Sequence, residues 1–164
     1  MTNKMTVAQV KAEVQRFWTL FSTKDAQALQ RLYSVGATVF SSSSSRYELG
    51  PVSAARRHRE YFQRNTAVRV RLSDVRVDLL GDHGEVAVAS YTFQFHATNV
   101  ATASGVIEED IQLGRATQVF GLGADGNLCI VHEHLSLPTW PQAGLPVPPA
   151  YMPDHAGSSM ENKS

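Results

Sequence analysis

The chain contains one cysteine, Cys129, in 164 residues. No disulfide can form within it, so packing must hold the fold together, and a reducing compartment suits it. Neither sign of charge is in excess: fifteen Lys and Arg balance fifteen Asp and Glu. That balance leaves no electrostatic footprint for nucleic acid or an anionic membrane surface. No apolar run approaches the roughly 20 residues of a membrane span, and MTNKMTVAQVKAE lacks the apolar stretch of a secretory leader. A soluble, cytoplasmic protein with no nucleic-acid or membrane partner is expected. Proline is scarce too, until residue 138. Of seven prolines only Pro51 precedes it, and the other six fall in residues 138–153.

What is present divides by period. Thr6 with Gln9 forms a capping box, and Val10, Val14, Phe17, Trp18 and Phe21 then recur at helical spacing as an uncharged stripe. DAQALQRLYS predicts a short second helix with Leu29, Leu32 and Tyr33 inward, and ATVF a short strand. Ser41 to Ser45 predict a solvated loop. Gly50-Pro51 opens a third helix, expected to turn Val52, Ala55, Tyr61 and Phe62 inward and to leave Arg56, Arg57, His58 and Arg59 in solvent. From Val68 the period becomes 2. VRVRLSDVRVDLL, GDHG and EVAVASYTFQFHA predict two long antiparallel strands and a tight turn, with a bulge at Ser73-Asp74. SGVIEEDIQLGRATQVF, GLGADGN and LCIVHEHLSL predict two more strands. The order predicts an α+β domain over residues 1–137, with bent strands packed on helices. Residues 138–164, proline-rich and then small and polar, predict an extended arm over 138–153 that packs on the domain or on a second subunit through Trp140 and Tyr151, and a disordered tail after Asp154.

Alternate residues of a strand share a face. In the third long strand Ile107, Glu109, Ile111, Leu113, Arg115, Thr117 and Val119 form the more apolar set, so this set is expected to face the helices. Placing Val119 opposite Ile130 then sets Thr117 against His132 and Arg115 against His134. Arg115, Thr117, His132, His134 and Glu109 would line a pocket under a helix carrying Phe17, Trp18 and Phe21, with Tyr91 as a further wall. Cys129 would lie on the opposite face and have no base for a nucleophilic role.

The element order, AQALQRLYSVGATVF, the glycine at 50 and GRATQVFGLGADGNLCIVHEHLSLP resemble the SnoaL-like proteins. These belong to the cone-shaped superfamily of nuclear transport factor 2 and ketosteroid isomerase. VHEHLS also resembles the end of the association domain of calcium/calmodulin-dependent kinase II. The resemblance spans about residues 7–137 and implies a curved antiparallel sheet packed on N-terminal helices. It carries over poorly to the isomerase residues. Phe17 stands where that enzyme has its helix tyrosine, Ser41 or Ser42 where it has its aspartate base, and GRATQVF has no acid.

Three functions remain open. The first is a small-molecule binder or acid-base enzyme of isomerase, cyclase or lyase type. In it His132 or His134 moves the proton, Arg115 holds an anionic or enolate oxygen, and the ligand has an apolar body with an anionic or carbonyl group. The second is a metal bound by His132, His134 and Glu109, although no spacing rule requires it and no cofactor is implied. The third is a non-catalytic association module. A homodimer through the outer sheet face, expected to present Phe120, Val131 and Leu135, suits either the first or the third.

Overall fold

The structure is a computed structural model that describes residues 4–42, 46–81, 84–100 and 107–137. The arm expected over residues 138–164 lies outside them. Helix α1, Val7–Ser22, starts at the capping box: Gln9 N donates to Thr6 Oγ1 at 3.2 Å, and Thr6 N donates to Gln9 Oε1 at 2.9 Å. The short α2, Ala26–Gln30, is capped by Asp25, and strand β1, Tyr33–Phe40, begins where the sequence suggested more helix. A two-residue β2, Glu48–Leu49, leads into α3, Gly50–Arg64. Gly50 takes a φ of +74°, which only glycine adopts without strain, and Pro51 fills the first turn. The long strands are β3, Ala67–Leu80, β4, Val86–Val100, β5, Ile107–Leu122, and β6, Leu128–Ser136.

The six strands form one sheet in the order β2-β1-β6-β5-β4-β3. Strands β3 to β6 form the expected antiparallel meander, and β1 adds to β6 in parallel. The bulge expected at Ser73-Asp74 is present: the register slips between Ser73 and Arg76, and Asp74 has φ +55°. Helices and one sheet face enclose the core, where Val10, Val14 and Phe17 of α1 and Leu29 meet Ala89, Tyr91, Phe93 and Phe95 of β4. Three helices on a six-stranded curved sheet make the cone-shaped α+β fold.

The buried set of α3 differs from expectation. Ala54, Ala55, His58 and Phe62 are buried, whereas Val52 is exposed. His58 is not on the solvated face, because three and four residues separate it from Ala55, Ala54 and Phe62 along the inward stripe, and Arg57, also expected in solvent, is largely buried between Glu48 and Glu133.

Candidate functional site

Strand β4 shows which face is inner, since Tyr91, Phe93 and Phe95 are buried and Thr92 and Gln94 are exposed. Directly paired residues share a face. Tyr91 pairs with Ala116, Phe93 with Gly114, and Ala89 with Gln118. The inner face of β5 is therefore Gly114, Ala116, Gln118 and Phe120, the set expected outside. Gly114 is small for a reason: a Cβ there would run into the Phe93 ring.

A second change of parity occurs in β6. Phe120 pairs with Ile130 but Val119 pairs with His132, so one extra residue bulges from β6. Ile130 and Glu133 point inward, while His132 and His134 point outward. The expected partners also shift: Thr117 lies opposite His134, and Arg115 opposite Ser136. This corrects the expected pocket. Arg115, Thr117, Glu109, His132 and His134 stand on the outer face. There His132 Nδ1 meets Thr38 Oγ1 at 2.7 Å, and His96 meets Glu109 at 3.5 Å. Phe40 lies 5.8 and 6.1 Å from the two histidine rings. Cys129 shares that outer face. Its thiol donates to Gly121 O at 3.6 Å, and burial pushes its pKa up, so it supplies no ready thiolate. Phe120 and Leu135, expected at an outer interface, face inward: Phe120 is buried in the core, and Leu135 pairs with Ala116 and packs against that core. Phe17, Trp18, Phe21 and Tyr91 do lie inside, as expected.

The interior groups that the sequence pattern did not reveal gather around one carboxylate. Glu133 is 0% exposed. Tyr33 Oη donates to its Oε1 at 3.0 Å, and Gln118 Nε2 donates to its Oε2 at 2.8 Å. Arg57 Nη2 reaches Oε1 at 3.4 Å, a longer contact, while Arg57 Nη1 lies 3.7 Å from Glu48 Oε2. A lone buried carboxylate would cost several kcal/mol, and here hydrogen-bond donors and one guanidinium offset that cost.

His58 lies beside this group, its Nε2 3.4 Å from Arg57 Nη2. Guanidinium nitrogens only donate, so Nε2 accepts and the ring proton sits on Nδ1. Burial, and then the Arg57 charge, push the imidazole down to about 3. It is therefore neutral at pH 7. Its Nδ1 and the Oε1 of Gln118 are both buried with no hydrogen-bond partner among the described residues.

Across the interior, Trp18 Nε1 donates to Tyr91 Oη at 2.9 Å. Burial, and next the Glu133 charge, raise both Tyr33 and Tyr91 well above the ordinary tyrosine range. Both phenols remain protonated donors. Aromatic rings make the walls, with Trp18 to Phe93 at 4.9 Å and Phe21 to Phe95 at 5.8 Å. An open cleft of about 550 Å³ at the surface is lined by Phe40, Arg46, Tyr47, Glu48, Leu49, Ser53 and Arg56. Glu48 joins this cleft to the interior, because Arg57 touches both Glu48 and Glu133. No group of three or more His, Cys, Asp or Glu suited to a metal occurs among the described residues.

A model of the SnoaL-like domain matches residues 10–140. The chain belongs to the SnoaL-like family. No curated protein matches this SnoaL-like chain. Among solved structures it is similar to a candidate dehydratase of the nuclear-transport-factor-2-like family from Streptomyces avermitilis, at 19% identity and a TM-score of 0.68. That alignment covers 80% of this chain and 95% of the other. A nuclear-transport-factor-2-like superfamily protein from Salmonella enterica serovar Typhimurium matches at 20% identity and TM-score 0.68, covering 87% and 100%. A candidate calcium/calmodulin-dependent protein kinase II association domain from Xanthomonas campestris matches at 18% identity and TM-score 0.65, covering 83% and 94%. These likenesses establish the fold of the SnoaL-like domain. No helix among its described residues is long and apolar enough to cross a membrane.

Proposed function

We propose that this protein binds a small molecule inside the cone and moves a proton on it, with Glu133 as the proton acceptor. The observation that supports this most is the carboxylate itself, fully buried and held at hydrogen-bond distance by neutral donors from Tyr33 and Gln118. A few convergent polar groups in an otherwise apolar interior mark a candidate binding site. A flat apolar body would have to part the rings of Trp18, Phe21 and Phe95, whose centroids stand 5.4 Å (Trp18 to Phe21) and 5.8 Å (Phe21 to Phe95) apart. Tyr91 accepts from Trp18, which leaves its own hydroxyl proton to donate. It is thus suited to hydrogen-bond a carbonyl oxygen as that oxygen gains charge.

In the simplest reaction Glu133 removes a proton from the carbon beside a carbonyl, and Tyr91 stabilises the resulting enolate oxygen. Return of the proton to another carbon gives isomerisation; its delivery from Glu133 to a β-hydroxyl, which leaves as water while the enolate electrons form the C=C bond, gives dehydration. The candidate dehydratase from Streptomyces avermitilis favours this class of chemistry. A substrate entering from the Tyr47 and Leu49 cleft would reach Glu133 by moving Arg57, the group that holds that carboxylate at the longest distance.

The test is exchange of the α-protons of 2-tetralone in D₂O, followed by NMR. The wild-type protein is expected to accelerate exchange, and Glu133→Gln to slow it by about 10²- to 10⁴-fold. The substituted amide can be accommodated, because the Gln118 amide can turn over and present its otherwise unpartnered Oε1. Wild-type exchange no faster than buffer, or an unaffected Glu133→Gln rate, would sink the reading.

The association-module reading draws on the Xanthomonas campestris relative and on exposed apolar residues of β5. It gives Glu133 no task, so the proton-transfer reading is preferred.

A further inference from the structure

Strand β5 runs past the end of β6. Their ladder closes with Arg115 opposite Ser136, so among the described residues 107–114 are paired on the β4 side alone. On the outer face of this overhang stand Ile107, Ile111 and Leu113, exposed by 64%, 59% and 54%. An apolar strip along an open sheet edge invites association and is normally covered.

The chain itself supplies a cover of the right chemistry. Residues 135–153, LSLPTWPQAGLPVPPAYMP, contain no Asp, Glu, Lys, Arg or His, but include Leu137, Trp140, Leu145, Val147, Tyr151 and Met152. Segments that stay solvated are poor in such residues and rich in charge. Six prolines remove the N–H donors that another strand would need, so this stretch is suited to lie extended and to make contact through side chains.

Direction and length also agree. β6 runs antiparallel to β5, so the chain leaving Ser136 heads toward the Ile107 end of the overhang. Trp140 follows Ser136 by four residues, about 12 Å at roughly 3.1 Å per residue of polyproline helix. Ile111 lies four residues beyond Arg115, about 13 Å at roughly 3.3 Å per residue of strand. Leu145 similarly reaches the level of Ile107. We infer that residues 138–153 fold back over the outer face of the same chain's β5 overhang, with Trp140 packed on Ile111 and Leu113.

Trp140 and Trp18 are the only tryptophans. The difference between the fluorescence of the full chain and of Trp140→Phe therefore reports Trp140. The expected signal is blue-shifted, weakly quenched by acrylamide and independent of protein concentration. Ile111→Arg, at an exposed position, should raise Trp140 quenching several-fold and red-shift its emission. The same variant should speed amide hydrogen exchange over residues 107–114. If it loses its near-ultraviolet circular dichroism, Ile107→Gln replaces it. Free-indole quenching of Trp140 in the wild type, unchanged by either substitution, overturns the inference. So does protection that appears only as light scattering shows the mass doubling, which would make the occupant a second copy.

Discussion

Glu133 and His58 show how one interior can hold a hydrogen-bonded carboxyl group and a neutral imidazole side by side. The carboxylate has three donors directed at it, whereas His58 has the Arg57 guanidinium on one nitrogen and no partner on the other among the described residues. This arrangement makes stability depend on pH through His58. Its folded pKa is depressed to about 3, while the unfolded chain protonates histidine near 6.5. The unfolded state therefore takes up the proton first, and stability present above about pH 6.5 is lost as pH falls toward 3. At pH 4.5 the loss from this residue is on the order of 2 to 3 kcal/mol. Thermal melts of wild type and His58→Gln between pH 7 and 4.5 check it: the variant should lose less stability over that range. Parallel curves would mean that His58 is not neutral in the fold. Nothing in RRHRE marks this histidine as buried. Only its helical spacing from Ala54 and Phe62 does so, and the surrounding arginines mask that signal.

At the level of elements, nearly every helix and strand was legible, because the apolar period changes cleanly from 3.6 to 2 near Val68. The face assignment of β5 was not. Its outer set, with Ile107, Ile111 and Leu113, is more apolar than its inner one, where Gly114 and Ala116 leave room for the large rings of β4. The β4 alternation of Tyr91, Phe93 and Phe95 with Thr92, Gln94 and His96 carried the correct answer, needing only the pairing to transfer it. The β6 bulge had no such signal, and one extra residue sufficed to exchange Glu133 for His132 and His134 inside. Gly114 gives the element-scale prediction. Gly114→Ala must push Phe93 away from its packing on Trp18, so it should cost about 1 to 3 kcal/mol, read from urea denaturation. A variant as stable as the wild type would show that Phe93 has another rotamer to occupy.

For the molecule as a whole, the sheet acts as a partition. Its inner face holds the aromatic walls and the buried carboxylate; its outer face holds both histidines of VHEH, Arg115 and the apolar overhang. The polar residues that stand out most in the sequence are thus separated from the interior by the backbone of β5 and β6. A cone-shaped fold of this family can host binding, catalysis or assembly, so the partition is what ties a function to a face. The triple substitution Arg115→Ala, His132→Ala, His134→Ala tests this directly. Arg115 and His134 are exposed and His132 is half-buried, so the fold should survive without the Thr38–His132 hydrogen bond. Exchange of 2-tetralone α-protons should remain within about twofold of wild type, because outer-face groups lie beyond reach of a ligand inside and surface charges are screened within roughly 10 Å. A reduction as large as that expected for Glu133→Gln would place the chemistry on the outer face and make the interior carboxylate a packing group.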